Sequence, residues 1–111
     1  MIEKIVQKYL NKKMSVSAYP EKPDPEPAEY ILIEKVGGSE ENHIKSASIA
    51  LQSHADSLFR ASELNEEVKA AMKEIITLDE VTKAKLARDY NFTDTTKKKY
   101  RYQAIYELVH Y

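Results

Sequence analysis

The side chains of this chain that are best suited to acid–base or metal chemistry are three histidines, His43, His54 and His110. None of them is followed two to four residues later by a second histidine or a cysteine. A zinc site needs several converging ligands. The pattern therefore predicts a structural or solvated role for each histidine, and no metal site.

A second possible constellation combines carboxylates with a lysine, as in metal-dependent nucleases. Pro23-Asp24 is followed by Glu34-Lys35. Such a nuclease places its glutamate and lysine one residue apart on a strand, so that both point to one face. Adjacent strand residues point to opposite faces. This spacing therefore argues against a nuclease.

Covalent and nucleotide chemistry lack their usual motifs. The chain has no cysteine and only two glycines, Gly37 and Gly38. Two glycines cannot build either of the common phosphate-binding loops, and no nucleophile-elbow motif occurs. We therefore predict that the chain is not an enzyme and binds no cofactor.

Eight tyrosines in 111 residues are the most distinctive compositional feature. Tyr100, Tyr102 and Tyr106 alternate along one segment, close to Lys97-Lys98-Lys99 and Arg101. Aromatic residues on a sheet can stack bases, so a small nucleic-acid-binding module is one alternative. Tyrosines on a strand also pack against helices and are enriched at protein interfaces. With a formal net charge of -1, nucleic acid is not the expected ligand.

The charges are segregated along the chain even though they nearly cancel. Residues 21–42 are mainly acidic, and residues 97–101 are mainly basic. Patches of opposite sign can join two copies of one protein. The candidate oligomer or partner contacts are Glu21, Asp24, Glu26, Glu40, Glu41, Lys97, Lys98, Lys99 and Arg101.

The first half of the chain predicts a helix, a loop and two strands. Apolar residues at helical spacing predict a helix over 2–13, and a short extended piece follows near Ala18-Tyr19. All four prolines fall in 20–28, which predicts a stiff extended loop. Residues 29–36 form the clearest strand and, with apolar residues on both faces, are expected to lie centrally in a sheet. Gly37-Gly38 is expected to turn the chain into a second strand over 43–52.

The second half predicts a helix and two further strands. Helical spacing covers 54–76, with Ser53 or Asp56 as the cap. Residues 77–92 are ambiguous, because Thr77-x-x-Glu80 resembles a capping box whereas the following residues alternate in polarity; a strand over 82–92 is favoured. The strongest alternation covers 100–110.

This order, α-β-β-α-β-β, predicts one α+β domain over residues 1–111. Its sheet of about four strands should be largely antiparallel or mixed, with two helices packed on it. The N-terminal segment is interrupted by charges and is neither a signal peptide nor a membrane span. We therefore expect synthesis in a cytosol and no membrane partner.

Three segments in this order resemble the tail-terminator, or tail-completion, proteins of phages with long non-contractile tails. They are a proline loop with a strand and double glycine (Pro27–Gly38), a strand over Leu51–Ala55 that runs into a helix with Ala61, Leu64, Val68 and Met72 at its core, and Arg101-Tyr102-Gln103-Ala104 opening the last strand. Residues 77–99 depart from the family pattern, because they are lysine-rich and glycine-free where relatives often carry glycine and proline.

The resemblance implies a structural virion protein at the head-proximal end of the tail, assembled in the bacterial host cytoplasm. Such proteins form a ring, usually a hexamer, that caps the tail tube. The implied partners are other copies of the chain, the major tail tube protein and head-completion or connector proteins. Another head–tail connector or completion protein is the nearest alternative.

Overall fold

The computed structural model describes all residues, Met1–Tyr111, as two helices packed on a five-stranded mixed sheet. The helices are α1 (Ile2–Lys13) and α2 (Leu58–Met72), with a short 3-10 turn at Ile75–Thr77. The strands are β1 (Ala18–Tyr19), β2 (Tyr30–Glu41), β3 (Ile44–Ala55), β4 (Val81–Asn91) and β5 (Tyr100–His110). The predicted α+β class is confirmed. The sheet has one strand more than expected, because the extended piece at Ala18-Tyr19 adds to it.

The strands lie in the order β1-β2-β3-β5-β4. β1 runs parallel to β2, and every other neighbouring pair is antiparallel. The expectation that residues 29–36 are central is wrong, because β1 pairs with only Ile31 and Leu32 of β2. β3 holds the centre, and most of β2 forms an edge of the sheet.

The connection between β2 and β3 differs from the predicted glycine turn. Gly37 and Gly38 lie inside β2, beyond a bulge at Val36. The turn is made instead by Asn42 and His43, with φ angles of 53° and 67°. Two consecutive positive φ values suit a two-residue hairpin, because their twist matches that of the strands. Asparagine tolerates this conformation through its short polar side chain.

The second helix is shorter than the predicted 54–76. β3 continues through Ala55, which leaves His54 in the sheet. The side chain of Ser57, rather than Ser53 or Asp56, accepts a hydrogen bond from the backbone N–H of Arg60 at 3.1 Å and caps α2. The capping-box alternative at Thr77 is wrong, since the chain passes from the 3-10 turn into β4 at Val81.

The core lies between the helices and one face of the sheet, which we call the helix face. α1 contributes Ile2, Val6, Tyr9 and Leu10, and α2 contributes Ala61, Leu64, Val68 and Met72. Odd-numbered β3 residues from Ala47 to Ala55 face these helices together with even-numbered residues of β5. The Tyr9 hydroxyl donates to the carbonyl oxygen of Ala71 at 2.6 Å, which ties α1 to α2.

The opposite face of the sheet carries no helix, and we call it the open face. It presents even-numbered residues of β3 and odd-numbered residues of β5. The proline loop folds over one end of this face, where the ring of Tyr30 stacks on His54 at 4.5 Å between centroids. No helix of the chain is both long and apolar enough to cross a membrane.

Candidate assembly surfaces

The three histidines lie in different surroundings. His43 is exposed in the hairpin turn, whereas His54 and His110 are buried in separate parts of the sheet. No three histidine or carboxylate side chains are placed to hold a metal ion together. Burial, followed by the nearby Arg101 charge, lowers the pKa of His54 from 6.5 to about 4. His54 is therefore neutral at pH 7.

The carboxylate–lysine set is also dispersed. Asp24 is exposed in the proline loop. Glu34 pairs with Ala50 on the open face, and Lys35 pairs with Ile49 on the helix face. The two side chains point away from each other, as the adjacent positions predicted.

The tyrosines of β5 face the helices. Tyr106 is buried, and burial is the main cause that raises its pKa. Tyr100 and Tyr102 pack against the same core. These three rings therefore do not form a free stacking platform of the kind that base-binding sheets present.

On the open face, a network of hydrogen-bonded polar side chains crosses the sheet. His54 Nε2 lies 3.2 Å from Oε1 of Gln52, and Nε2 of Gln52 donates to Oε1 of Gln103 at 2.7 Å. Gln103 in turn donates to the hydroxyl of Tyr90. Because buried polar groups are costly without partners, this network stabilises a face that no helix covers.

One acidic and one basic residue predicted as contacts, Glu26 and Lys99, meet within the chain itself. Lys99 Nζ lies 3.4 Å from Oε2 of Glu26, which also lies 3.7 Å from the ammonium of Lys22. A hydrogen bond from Tyr30 is the first cause that lowers the pKa of Glu26. Glu26, Tyr30 and Lys99 border a cleft of about 280 Å³ beside His54.

The remaining predicted contacts are distributed over the molecule. The guanidinium of Arg101 lies over the ring of Phe92, 4.5 Å from its centroid. Its Nε also donates to the carbonyl oxygen of Phe92 at 2.7 Å. Glu21, Lys97 and Lys98 are exposed near the proline loop and the β4–β5 turn. Glu40 and Glu41 lie at the opposite end of the sheet, at the tip of the β2–β3 hairpin.

Two edges of the sheet are open to solvent, and the sequence patterns predicted neither of them as an edge. β4 is the last strand on one side, with no strand beyond it. On the other side β1 covers only two residues of β2, so residues 33–41 have no outer neighbour. An unpaired strand presents its backbone N–H and C=O groups to any matching chain.

The two open edges carry charges of opposite sign on the open face. β4 presents Lys83, Lys85 and Arg88, whereas β2 presents Glu34 and Glu41. All five side chains are exposed, and none has an ion-pair partner within the chain. Lysines and bulges on an edge strand discourage indiscriminate pairing, and β4 has bulges near Thr82 and Ala87.

A groove adjoins the β4 edge on the helix face. It has a volume of about 510 Å³ and lies between the end of α2 and β4. Ile76 and Leu86 are partly exposed in it, at 54% and 39%. The Asp89 carboxylate anchors this side of the sheet to α2, because it accepts from Asn65 and Lys69, each at 2.6 Å.

The fold and these surfaces define an α+β domain with two complementary sheet edges. In comparisons with known proteins, no protein-family model matches the chain and no curated protein matches it. Membership of the tail-terminator proteins therefore stays a prediction based on the order of the sequence segments.

Proposed function

We propose that this chain is a structural subunit of a phage tail, a tail terminator that closes the tail tube as a ring of identical copies. The ring would bind the major tail tube protein on one side and head-completion proteins on the other. It would be assembled in the host cytoplasm and would perform no chemistry. The chain would then act through its surfaces alone.

The observation that carries this proposal is the pair of open, oppositely charged edges on β2 and β4. Ring assembly uses two different patches of each subunit, one binding the other on the next copy. Edges at opposite sides of one sheet meet that requirement. Two like edges would instead favour a two-fold dimer.

The segments that carry the family resemblance give further support. Tyr30–Gly38 includes the bulged part of β2, and Ala61–Met72 is the core side of α2. Arg101–Ala104 belongs to the start of β5, beside His54. The resemblance thus covers the β2 edge, α2 and the start of β5, whereas β4 lies within residues 77–99, where the chain departs from the family pattern.

The assembly can be tested with the purified chain. We expect light scattering to give one mass that is an integral multiple of 12.8 kDa, and electron microscopy to show closed particles with a central opening. Open filaments, or a monomer at concentrations up to about 1 mM, where even weak association is detectable, would contradict a self-assembling ring.

Salt-sensitive binding to a short oligonucleotide would favour the nucleic-acid alternative instead. The genomic neighbourhood gives an independent test of the tail assignment. A major tail protein gene downstream and head-completion genes upstream are expected. Neighbouring genes unrelated to virion assembly would contradict the assignment even if rings form.

A further inference from the structure

The two open edges lie at the same level along the strands. Rows of paired residues cross the sheet from β4 through β5 and β3 to β2 and define this level. The rows are Lys83-Val109-Ser46-Ser39, Ala84-Leu108-Ala47-Gly38, Lys85-Glu107-Ser48-Gly37, Leu86-Tyr106-Ile49-Lys35 and Arg88-Ile105-Ala50-Glu34. A second copy set beside the first without a shift along the strands therefore brings Lys83–Arg88 next to Glu34–Ser39.

The strand directions fit the same placement. β2 and β3 are antiparallel, as are β3 and β5, and β5 and β4. β4 therefore runs opposite to β2 in one subunit. Rotation about an axis parallel to the strands keeps these directions, so β4 of one copy meets β2 of the next in antiparallel orientation.

Both edges offer a regular stretch of strand at this level. Between its two bulges, β4 pairs without interruption over Lys83–Leu86, and beyond its bulge β2 is regular over Gly37–Glu41. Ladder hydrogen bonds need such unbroken backbone. The bulges therefore limit the unbroken ladder to one short segment on each edge, and each strand is paired again beyond its bulge, at Arg88 on β4 and at Glu34 on β2.

The side chains on the open face are matched in charge across this contact. Glu34 falls in the same row as Arg88, so the two side chains would be direct cross-strand neighbours. Glu41 lies two residues beyond Ser39, which shares the row of Lys83. Glu41 and Lys83 would therefore be diagonal neighbours within reach of long side chains. Opposite charges placed in this way stabilise strand pairs, whereas like charges destabilise them.

We infer that the edge of β4 in one copy pairs antiparallel with the edge of β2 in the next, with Arg88 opposite Glu34. This contact rests on the proposed function and specifies the partner surface of the ring. The contact involves no shift along the strands and so adds no rise per copy, which a closed ring requires; the ring closes when the rotation between copies divides a full turn. Pairing of two β4 edges would bring Lys83, Lys85 and Arg88 against their own copies, so like edges repel.

Charge exchange tests the row assignment. We expect Glu34→Arg alone and Arg88→Glu alone each to raise the dissociation constant for assembly about 10-fold or more, because each variant sets like charges in one row. The double variant restores opposite charges and is expected to return to within about 3-fold of the original chain. Lys12→Glu, at an exposed position on α1, is the matched control and should leave assembly unchanged.

The absence of native cysteine permits a second test by disulfide formation. Ser39→Cys and Lys83→Cys proteins are mixed under mild oxidation, and we expect the mixed dimer to form faster than either like dimer. Lys12→Cys mixed with Ser39→Cys is the background control.

The outcomes separate the contact from the proposed function. If rings form but the double charge variant is not restored and the mixed disulfide does not exceed background, the inferred contact is wrong and the ring stands. Faster formation of like dimers would mean a two-fold contact and would overturn the inference. If the unmodified chain does not assemble, the ring proposal and the contact fail together.

Discussion

The two faces of the sheet are stabilised in different ways. The helix face is covered by α1 and α2 and excludes water from residues such as Leu64 and Ile49, which have no exposed surface. The open face has no helix and relies on a polar network that runs from His54 to Tyr90. Apolar burial on one face thus holds the fold, while the other face is closed by polar contacts at its centre and is exposed mainly along its edges.

The largest effect is expected from truncating the helix face. Leu64→Ala removes a fully buried side chain of α2 and should lower the free energy of unfolding by about 2–5 kcal/mol, because it loses burial and leaves a cavity. Chemical denaturation measures this loss. Phe59→Ala, at a side chain that is 75% exposed on the same helix, should change stability by no more than about 0.5 kcal/mol. Equal losses would contradict the assignment of the core.

Acidification is expected to lower the stability by a smaller amount, through protonation of His54 on the open face. The pKa of His54 is about 4 in the fold and 6.5 ordinarily, so between these values the unfolded chain binds more protons. Stability should therefore be complete above pH 6.5 and fall as the pH drops toward 4. The loss at pH 5 should be about 2 kcal/mol at most, after allowance for solvent screening.

His54→Phe is the matched variant for the acid effect. It keeps an aromatic ring for stacking on Tyr30 and removes the titrating group. The stability of this variant should depend less on pH between 7 and 5. The pKa of Glu26 is lowered mainly by the Tyr30 hydrogen bond, so the loss of stability from protonation of Glu26 at lower pH should persist in the variant. An unchanged pH profile would show that His54 is not the group responsible.

The smallest effects compare two serines of β3 that point to opposite faces. Ser53 has a buried hydroxyl without a hydrogen-bond partner on the helix face, so Ser53→Ala should stabilise the chain by about 1 kcal/mol. Ser48 donates to Glu107 at 2.7 Å on the open face, where water can replace the bond. Ser48→Ala should therefore cost no more than about 0.5 kcal/mol, and thermal unfolding can compare the two. If Ser53→Ala lowers the stability instead, the Ser53 hydroxyl is not an unpaired group in a face that excludes water.

The sequence predicted the elements best where apolar periodicity was strong. The α1 bounds of 2–13 and the β5 bounds of 100–110 match the structure. The strand favoured over 82–92 is confirmed as Val81–Asn91. The ambiguity came from Thr77-x-x-Glu80, which resembles a capping box, whereas the alternation that followed was correct even though β4 is an edge strand with most residues exposed and two bulges. The end of β3 was mistaken for helix, because a polar segment such as Gln52-Ser53-His54 gives no periodic signal of its own.

The candidate site was less predictable than the fold. Segregation of charge was visible in the sequence, but it did not show that Glu26 and Lys99, which are far apart in the sequence, pair with each other in the folded chain. Glu34, Lys83, Lys85 and Arg88 gave no signal as contacts, because an edge is defined by the absence of a neighbouring strand and no local pattern records that.

By itself the sequence determined the class of the fold, the positions of most helices and strands, and the separation of acidic from basic segments. These properties depend on residue types at short spacing, which local periodicity reports. Only the tertiary structure decided which strands are edges, which face is covered and which charged residues share a row. Those properties depend on strand order and register, and these are fixed by contacts between residues distant in the chain, such as Leu51 with Ala104.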